Sequence, residues 1–134
     1  MTFLEQAQKI KDQTVAWRRD LHRHPALGFK EVRTAQIVAD ELTRLGMDVT
    51  TGVGKTGVVG MLHGATDTPV LLLRFDMDAL PIQEETGAEY ASHNPRVMHA
   101  CGHDAHTAVG LSVARLLGAQ KAQLPGTIKF VFQP

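Results

Sequence analysis

The run Val70-Leu71-Leu72-Leu73 is the feature that most constrains the fold. Four consecutive apolar residues are typical of a central strand that is buried on both faces of a sheet. Asp76 and Asp78 follow this run, at the C-terminal end of the strand, where α/β proteins have their active sites. Because the two residues alternate, an extended backbone points both carboxylates to the same side. The alternative interpretation is that they cap a turn before Pro81.

The rest of the chain predicts an α/β layer with a mixed sheet and flanking helices. Helical spacing of apolar residues predicts helices over about residues 2–22, 31–45 and 104–118. Further strands are predicted over about residues 47–51, 57–62 and 127–132. The polar residues 82–97 are expected to form a loop over the site. His22 and His24 precede Pro25 in a predicted loop, where we expect them to be solvated.

The segment Met98–His106 holds the only cysteine and three of the seven histidines. Asp104 is predicted to be a helix N-cap, which places Cys101 and His103 in the loop before a helix N-terminus. The positive end of a helix dipole favours a thiolate, and Gly102 lets both side chains face one point. A thiolate and an imidazole two residues apart resemble half of a divalent-metal site. The alternative is that the lone cysteine is a small buried hydrophobe.

Composition excludes several classes of function. Fourteen basic and fourteen acidic residues cancel, so nothing favours binding to nucleic acid or to an anionic membrane surface. No apolar run approaches the length of a membrane span, and the N-terminus does not have the pattern of a signal peptide. The single cysteine excludes an internal disulfide framework and fits a reducing compartment. A cytoplasmic protein with one domain is therefore predicted.

Five segments of the chain resemble motifs of one protein family, and they occur in the same order. These segments are His22–Phe29, Arg74–Pro81, Ile82–Gly87, His99–Asp104 and Phe130–Pro134. Together they resemble the N-terminal part of the N-acyl-amino-acid amidohydrolases. These are two-metal enzymes related to aminoacylases and carboxypeptidases, and they include hippurate hydrolases and plant auxin-conjugate hydrolases. The resemblance covers essentially the whole chain. It implies that residues 1–134 form the N-terminal portion of an α/β catalytic domain, without the lid domain.

The resemblance also implies a site and a reaction. Cys101 and His103 fall on two metal ligands, Asp78 falls on the carboxylate that supports the metal centre, and Asp76 stands where relatives carry a histidine. Two divalent ions (zinc, manganese, cobalt or nickel) would polarise the scissile carbonyl of a small N-acyl amino acid. The family's general-base glutamate and its remaining ligands are expected to follow Pro134. The isolated chain is therefore predicted to bind metal weakly and to lack hydrolase activity.

Two other functions remain open. One is a thiol-dependent hydrolase in which Cys101 is the nucleophile and His103 or His106 is the base. The other is a non-catalytic metal-binding or assembly module. Its bare apolar sheet edge would favour self-association, including a homo-oligomer.

Overall fold

The computed structural model describes all residues from 1 to 134, and the chain begins with three helices. Helix α1 spans Phe3–Lys9, α2 spans Lys11–Arg23 and α3 spans Val32–Arg44. Ile10 separates α1 from α2 with a backbone at φ −101° and ψ 7°, so the single helix predicted over about residues 2–22 is wrong. Helix α1 has no fully buried residue, so only partly buried contacts fix its direction relative to α2. None of the helices is both long and apolar enough to cross a membrane.

Four strands form one mixed sheet, as predicted. They are β1 (Asp48–Val53), β2 (Gly57–His63), β3 (Val70–Asp76) and β4 (Thr127–Gln133), and their order in the sheet is β1-β2-β4-β3. The β1–β2 hairpin is antiparallel, β4 runs antiparallel to β2, and β3 runs parallel to β4. The parallel pair brings the C-terminal ends of β3 and β4 to the same edge, with Asp76 opposite Gln133.

Strand β3 is an edge strand, which contradicts the prediction of a central strand buried on both faces. It pairs only with β4, and the side chains of Val70, Leu71 and Leu72 are 58%, 55% and 54% exposed. An apolar run shows that a strand is suited to burial, but the chain connections decide which neighbours it has. Here β4 lies between β2 and β3. Only the end of β3 is buried, where Phe75 stacks on Phe132 with ring centroids 5.0 Å apart.

Helix α4 (His103–Gly118) lies close against the ends of β3 and β4. A Cβ atom at Gly110 would lie 2.8 Å from side-chain atoms of both Phe75 and Phe132, so the close approach requires a glycine. One turn earlier, the Thr107 hydroxyl donates a hydrogen bond to the carbonyl of Asp76 over 2.9 Å. These contacts place the start of α4 beside the end of β3, which is where the candidate site lies.

Candidate metal centre

The sequence-predicted site residues lie where β3 ends and α4 begins. Asp78 lies two residues beyond β3, His103 is the first residue of α4, and Cys101 is two residues earlier. Gly102 is the N-cap and has a left-handed backbone with φ 83°, a conformation that favours glycine. The prediction that Asp104 is the N-cap is therefore wrong. The helix begins one residue before Asp104, whose carboxylate is used in buried contacts with α2.

Asp78 fixes the imidazole of His103. The His103 Nδ1 atom lies 2.8 Å from Oδ1 of Asp78 and 3.0 Å from the Asp78 main-chain oxygen. Both oxygens only accept hydrogen bonds, so Nδ1 carries the proton and donates it. In the neutral form of the ring, the Nε2 atom then keeps its lone pair. The Asp76 Oδ2 atom is 3.9 Å from Nε2, which is beyond hydrogen-bond distance. Nε2 is consequently available to a cation.

Cys101 is a free and exposed cysteine. This exposure contradicts the alternative in which it is a small buried hydrophobe. A thiolate and a neutral imidazole are donors that suit zinc and related divalent ions, so the chemistry of the pair fits a metal. No group of three or more His, Cys, Asp and Glu side chains in the structure is arranged to hold a metal ion. A catalytic zinc site takes three ligands from its protein, so these two side chains by themselves would not complete one.

Asp76 faces the same imidazole but is held by other partners. Its Oδ1 atom accepts hydrogen bonds from Arg74 at 3.0 Å and from Gln133 at 2.7 Å. Its backbone N–H donates to Nδ1 of His106 over 3.3 Å. His106 thus contacts the end of β3 through Nδ1. Asp76 and Asp78 both lie near His103, as the alternation of the two carboxylates predicts.

A buried polar network next to this pair was not predicted. His22 Nδ1 lies 2.7 Å from Oδ2 of Asp104, and His22 Nε2 lies 3.0 Å from Oε1 of Glu84. The Arg18 Nε atom donates to the same Asp104 oxygen over 2.9 Å. His22 is only 3% exposed and lies in the last turn of α2, so the prediction of a solvated loop histidine is wrong. Its partners are 82 and 62 residues away along the chain, a separation that leaves no local sequence signal.

Burial acts differently on two titratable groups of this region. For Glu84, burial raises the pKa, but hydrogen bonds from the Thr86 hydroxyl, the Ser92 N–H and His22 outweigh it and hold the pKa below its usual value. For His99, burial disfavours the charged ring and lowers the pKa to about 4. Both ring nitrogens of His99 are buried without a hydrogen-bond partner. Glu84 is therefore held as a carboxylate, and His99 as a neutral ring.

Comparison with known proteins finds a matching family profile and several similar hydrolases. Residues 72–134 match the profile of peptidase family M20/M25/M40. The chain is 50% identical over 129 residues to a probable hydrolase of Synechocystis, covering 96% of this chain and 33% of that protein. It is 46% identical over 125 residues to an N-acyl-L-amino acid amidohydrolase of Geobacillus stearothermophilus, covering 93% of this chain and 34% of that protein.

A solved structure has the same fold. The crystal structure of a dinuclear metal-binding peptidase of the M20 family from Bacillus subtilis matches with a TM-score of 0.89 and 42% identity, over 95% of this chain and 36% of that chain. The chain thus spans about a third of the length of the relatives it matches. The family match and the structural match agree with the resemblance carried by the sequence motifs. Over nearly its whole length this chain is thus similar to the N-terminal third of these hydrolases, and its residues 72–134 match the profile of peptidase family M20/M25/M40.

Proposed function

We propose that this chain contributes half of the two-metal centre of an amidohydrolase that cleaves the amide bond of N-acyl amino acids. The observation that carries the proposal is the hydrogen bond from His103 to Asp78, which leaves Nε2 free two residues from an exposed thiol. The Geobacillus relative named for this activity and the dinuclear Bacillus peptidase support it. The free, exposed thiol also suits a reducing compartment, and we propose a cytoplasmic location.

Each of the three residues has a defined role in this proposal. Cys101 and His103 hold one side of the metal centre. Asp78 keeps the proton of His103 on Nδ1 and orients the ring, as carboxylates behind metal-bound histidines do. When bound, the divalent ions polarise the scissile carbonyl and acidify a water molecule. The donor set suits zinc and admits manganese, cobalt or nickel.

Two donors do not complete a catalytic site, because catalytic zinc takes three protein ligands. We therefore propose that the general-base glutamate and the remaining ligands come from outside these 134 residues, which form only the N-terminal portion of the catalytic domain. The isolated chain is expected to bind metal weakly. It is also expected to have no measurable hydrolase activity.

A cobalt titration of the purified chain tests the metal site. Co²⁺ is expected to produce a thiolate-to-cobalt charge-transfer absorption that is lost in Cys101→Ser and His103→Asn, and retained in the control His63→Asn. His63 is a suitable control because it pairs with Asp48 on the exposed hairpin. A wild-type chain without this absorption, or a Cys101→Ser variant that keeps it, would contradict the proposed ligand pair.

An activity assay separates the hydrolase mechanisms. No turnover of an N-acetylated amino acid by the isolated chain is expected. Turnover that a chelator abolishes would contradict the incomplete site. Turnover that resists the chelator and is lost in Cys101→Ala would favour the thiol-dependent hydrolase instead.

One observation favours the assembly module as a second candidate. The side chains of Val70, Leu71 and Leu72 are more than half exposed on an edge strand that has one free hydrogen-bonding side. Apolar edge strands of this kind promote pairing with another strand. We propose that the isolated chain self-associates through β3.

A further inference from the structure

We infer that His22 is a positioning residue for the Cys101–His103 pair: together with Arg18 it anchors Asp104, the residue that follows His103. This inference rests on the proposed function of the pair. It concerns residues of α2, which supplies none of the proposed ligands. Its basis is the buried network in which His22 contacts carboxylates from two other segments, Asp104 at the start of α4 and Glu84 in the loop after β3.

Burial makes these contacts restrictive. The side chains of His22, Glu84 and Asp104 are 4%, 3% and 0% exposed, so water cannot replace a lost partner. Both ring nitrogens of His22 face carboxylate oxygens, which only accept hydrogen bonds when ionised. Each nitrogen is therefore placed to exchange a hydrogen bond with a carboxylate of a different segment. Arg18 adds a further contact to the Asp104 carboxylate at 2.9 Å.

Because Asp104 directly follows His103, the buried network also restricts the position of the Cys101–His103 pair. Gly102 has a left-handed backbone and no side chain, and a glycine by itself restricts the direction of the chain very little. The turn Cys101-Gly102-His103 is held from one side by Asp78, which binds the His103 ring. It is held from the other side by Asp104, whose Oδ2 atom is fixed by His22 and Arg18. His22 thus acts on the ligand pair through its neighbour.

His99 lies near His22 and gives the turn no polar anchor. Its ring is 6.5 Å from the His22 ring, and both of its nitrogens lack a partner. Among the buried histidines of this region, only His22 connects α2 to the start of α4 by hydrogen bonds. We therefore expect the loss of His22 to change the metal site more than the loss of a comparable α2–α4 contact elsewhere.

The test compares Co²⁺ binding by the full 134-residue chain and its variants at a temperature where circular dichroism shows each to be fully folded. His22→Gln is expected to weaken Co²⁺ binding by about 10–100-fold, the usual effect of losing a partner that orients metal ligands. The thiolate-to-cobalt absorption at saturation is expected to shift as well, since it reports the geometry of the pair. Glu84→Gln keeps an acceptor for His22 and leaves Asp104 anchored, so it is expected to change the affinity less than His22→Gln.

Thr14→Val is the matched control, because the Thr14 hydroxyl lies 2.7 Å from Ser112 and connects the same two helices away from the turn. It is expected to keep the wild-type affinity and absorption. Two results would overturn this inference and leave the proposed function standing. One is an equal loss of Co²⁺ affinity in His22→Gln and Thr14→Val, and the other is a folded His22→Gln variant that binds Co²⁺ as the wild type does. If His22→Gln does not fold, Arg18→Gln takes its place in the test, because Arg18 contacts the same Asp104 oxygen. Unchanged Co²⁺ affinity in Arg18→Gln would then overturn the inference. A wild-type chain that shows no cobalt–thiolate absorption would overturn the proposed function and this inference with it.

Discussion

The carboxylate of Asp78 lies 2.8 Å from Nδ1 of His103, and this contact determines which ring nitrogen of the histidine is free. The two residues are 25 positions apart, and the packing of α4 against the end of β3 brings them together. The main-chain oxygen of Asp78 accepts from the same nitrogen at 3.0 Å. A histidine held by two acceptors on one side presents its other nitrogen, with its lone pair, to a metal.

Asp78→Asn is expected to weaken metal binding by about 10–100-fold, because the asparagine can present its N–H group to the ring and no longer favours one tautomer. Zn²⁺ competition against Co²⁺ measures the change. Asp48→Asn is the control, since Asp48 also pairs with a histidine at 2.9 Å but is exposed and distant in the hairpin. Equal affinities of the Asp78 variant and wild type would show that the carboxylate does not orient His103.

The buried His99 predicts a pH dependence of stability. Its pKa is about 4 in the folded chain, below the ordinary value of 6.5, so between these pH values the unfolded chain binds more protons. Stability is therefore lost as the pH falls from 6.5 to 4, by roughly 3 kcal/mol in total from this group. His99→Leu removes this contribution, and because both nitrogens lack partners it breaks no hydrogen bond.

Urea unfolding at pH 4.5 and pH 7 measures the contribution of His99. The stability of His99→Leu is expected to fall less than that of wild type over this interval, and at pH 7 the two are expected to agree within about 1 kcal/mol. The comparison between the two proteins cancels the other groups that titrate in this range, such as Glu84. Parallel pH profiles would contradict the prediction.

Gly110→Ala is expected to destabilise the chain by about 1–3 kcal/mol, because the added Cβ would lie 2.8 Å from the rings of Phe75 and Phe132. Gly118→Ala is the control in the same helix. The nearest atom to its Cβ would be 3.8 Å away on Leu45, so the better helix propensity of alanine is expected to make it neutral or slightly stabilising. Thermal unfolding of the two variants measures the difference, and equal melting temperatures would show that α4 can move away from the sheet.

Leu71→Lys is expected to weaken self-association of the isolated chain by about tenfold, because it removes one leucine from the apolar edge and adds a charge. Leu71 is 55% exposed on β3. Val32→Lys adds the same charge on α3, where Val32 is 72% exposed, and is expected to leave association unchanged. Sedimentation at several concentrations measures both variants. A wild-type chain that stays monomeric at high concentration would contradict the assembly function.

Local patterns predicted most of the elements, but they did not predict how the elements are arranged. The helices predicted over about residues 31–45 and 104–118 match α3 (Val32–Arg44) and α4 (His103–Gly118), because burial of one helix face requires apolar residues at helical spacing. The apolar run at Val70–Leu73 indicated a strand correctly, but within these 134 residues the strand lies at the edge of the sheet and not at its centre. Strand order depends on where β4 inserts, and no residue of β3 encodes this.

The candidate site likewise combines features that the local sequence predicts with contacts that depend on tertiary packing. The sequence by itself carried the family resemblance and predicted Cys101 and His103 as a ligand pair, because their chemistry and their spacing around Gly102 are local properties of the chain. Only the tertiary structure decided that Asp78 holds the His103 ring and that His22 lies buried between Asp104 and Glu84. Those contacts join residues that are 25, 82 and 62 positions apart in the chain. The packing of helices on the sheet brings such residues together, and no local pattern predicts it.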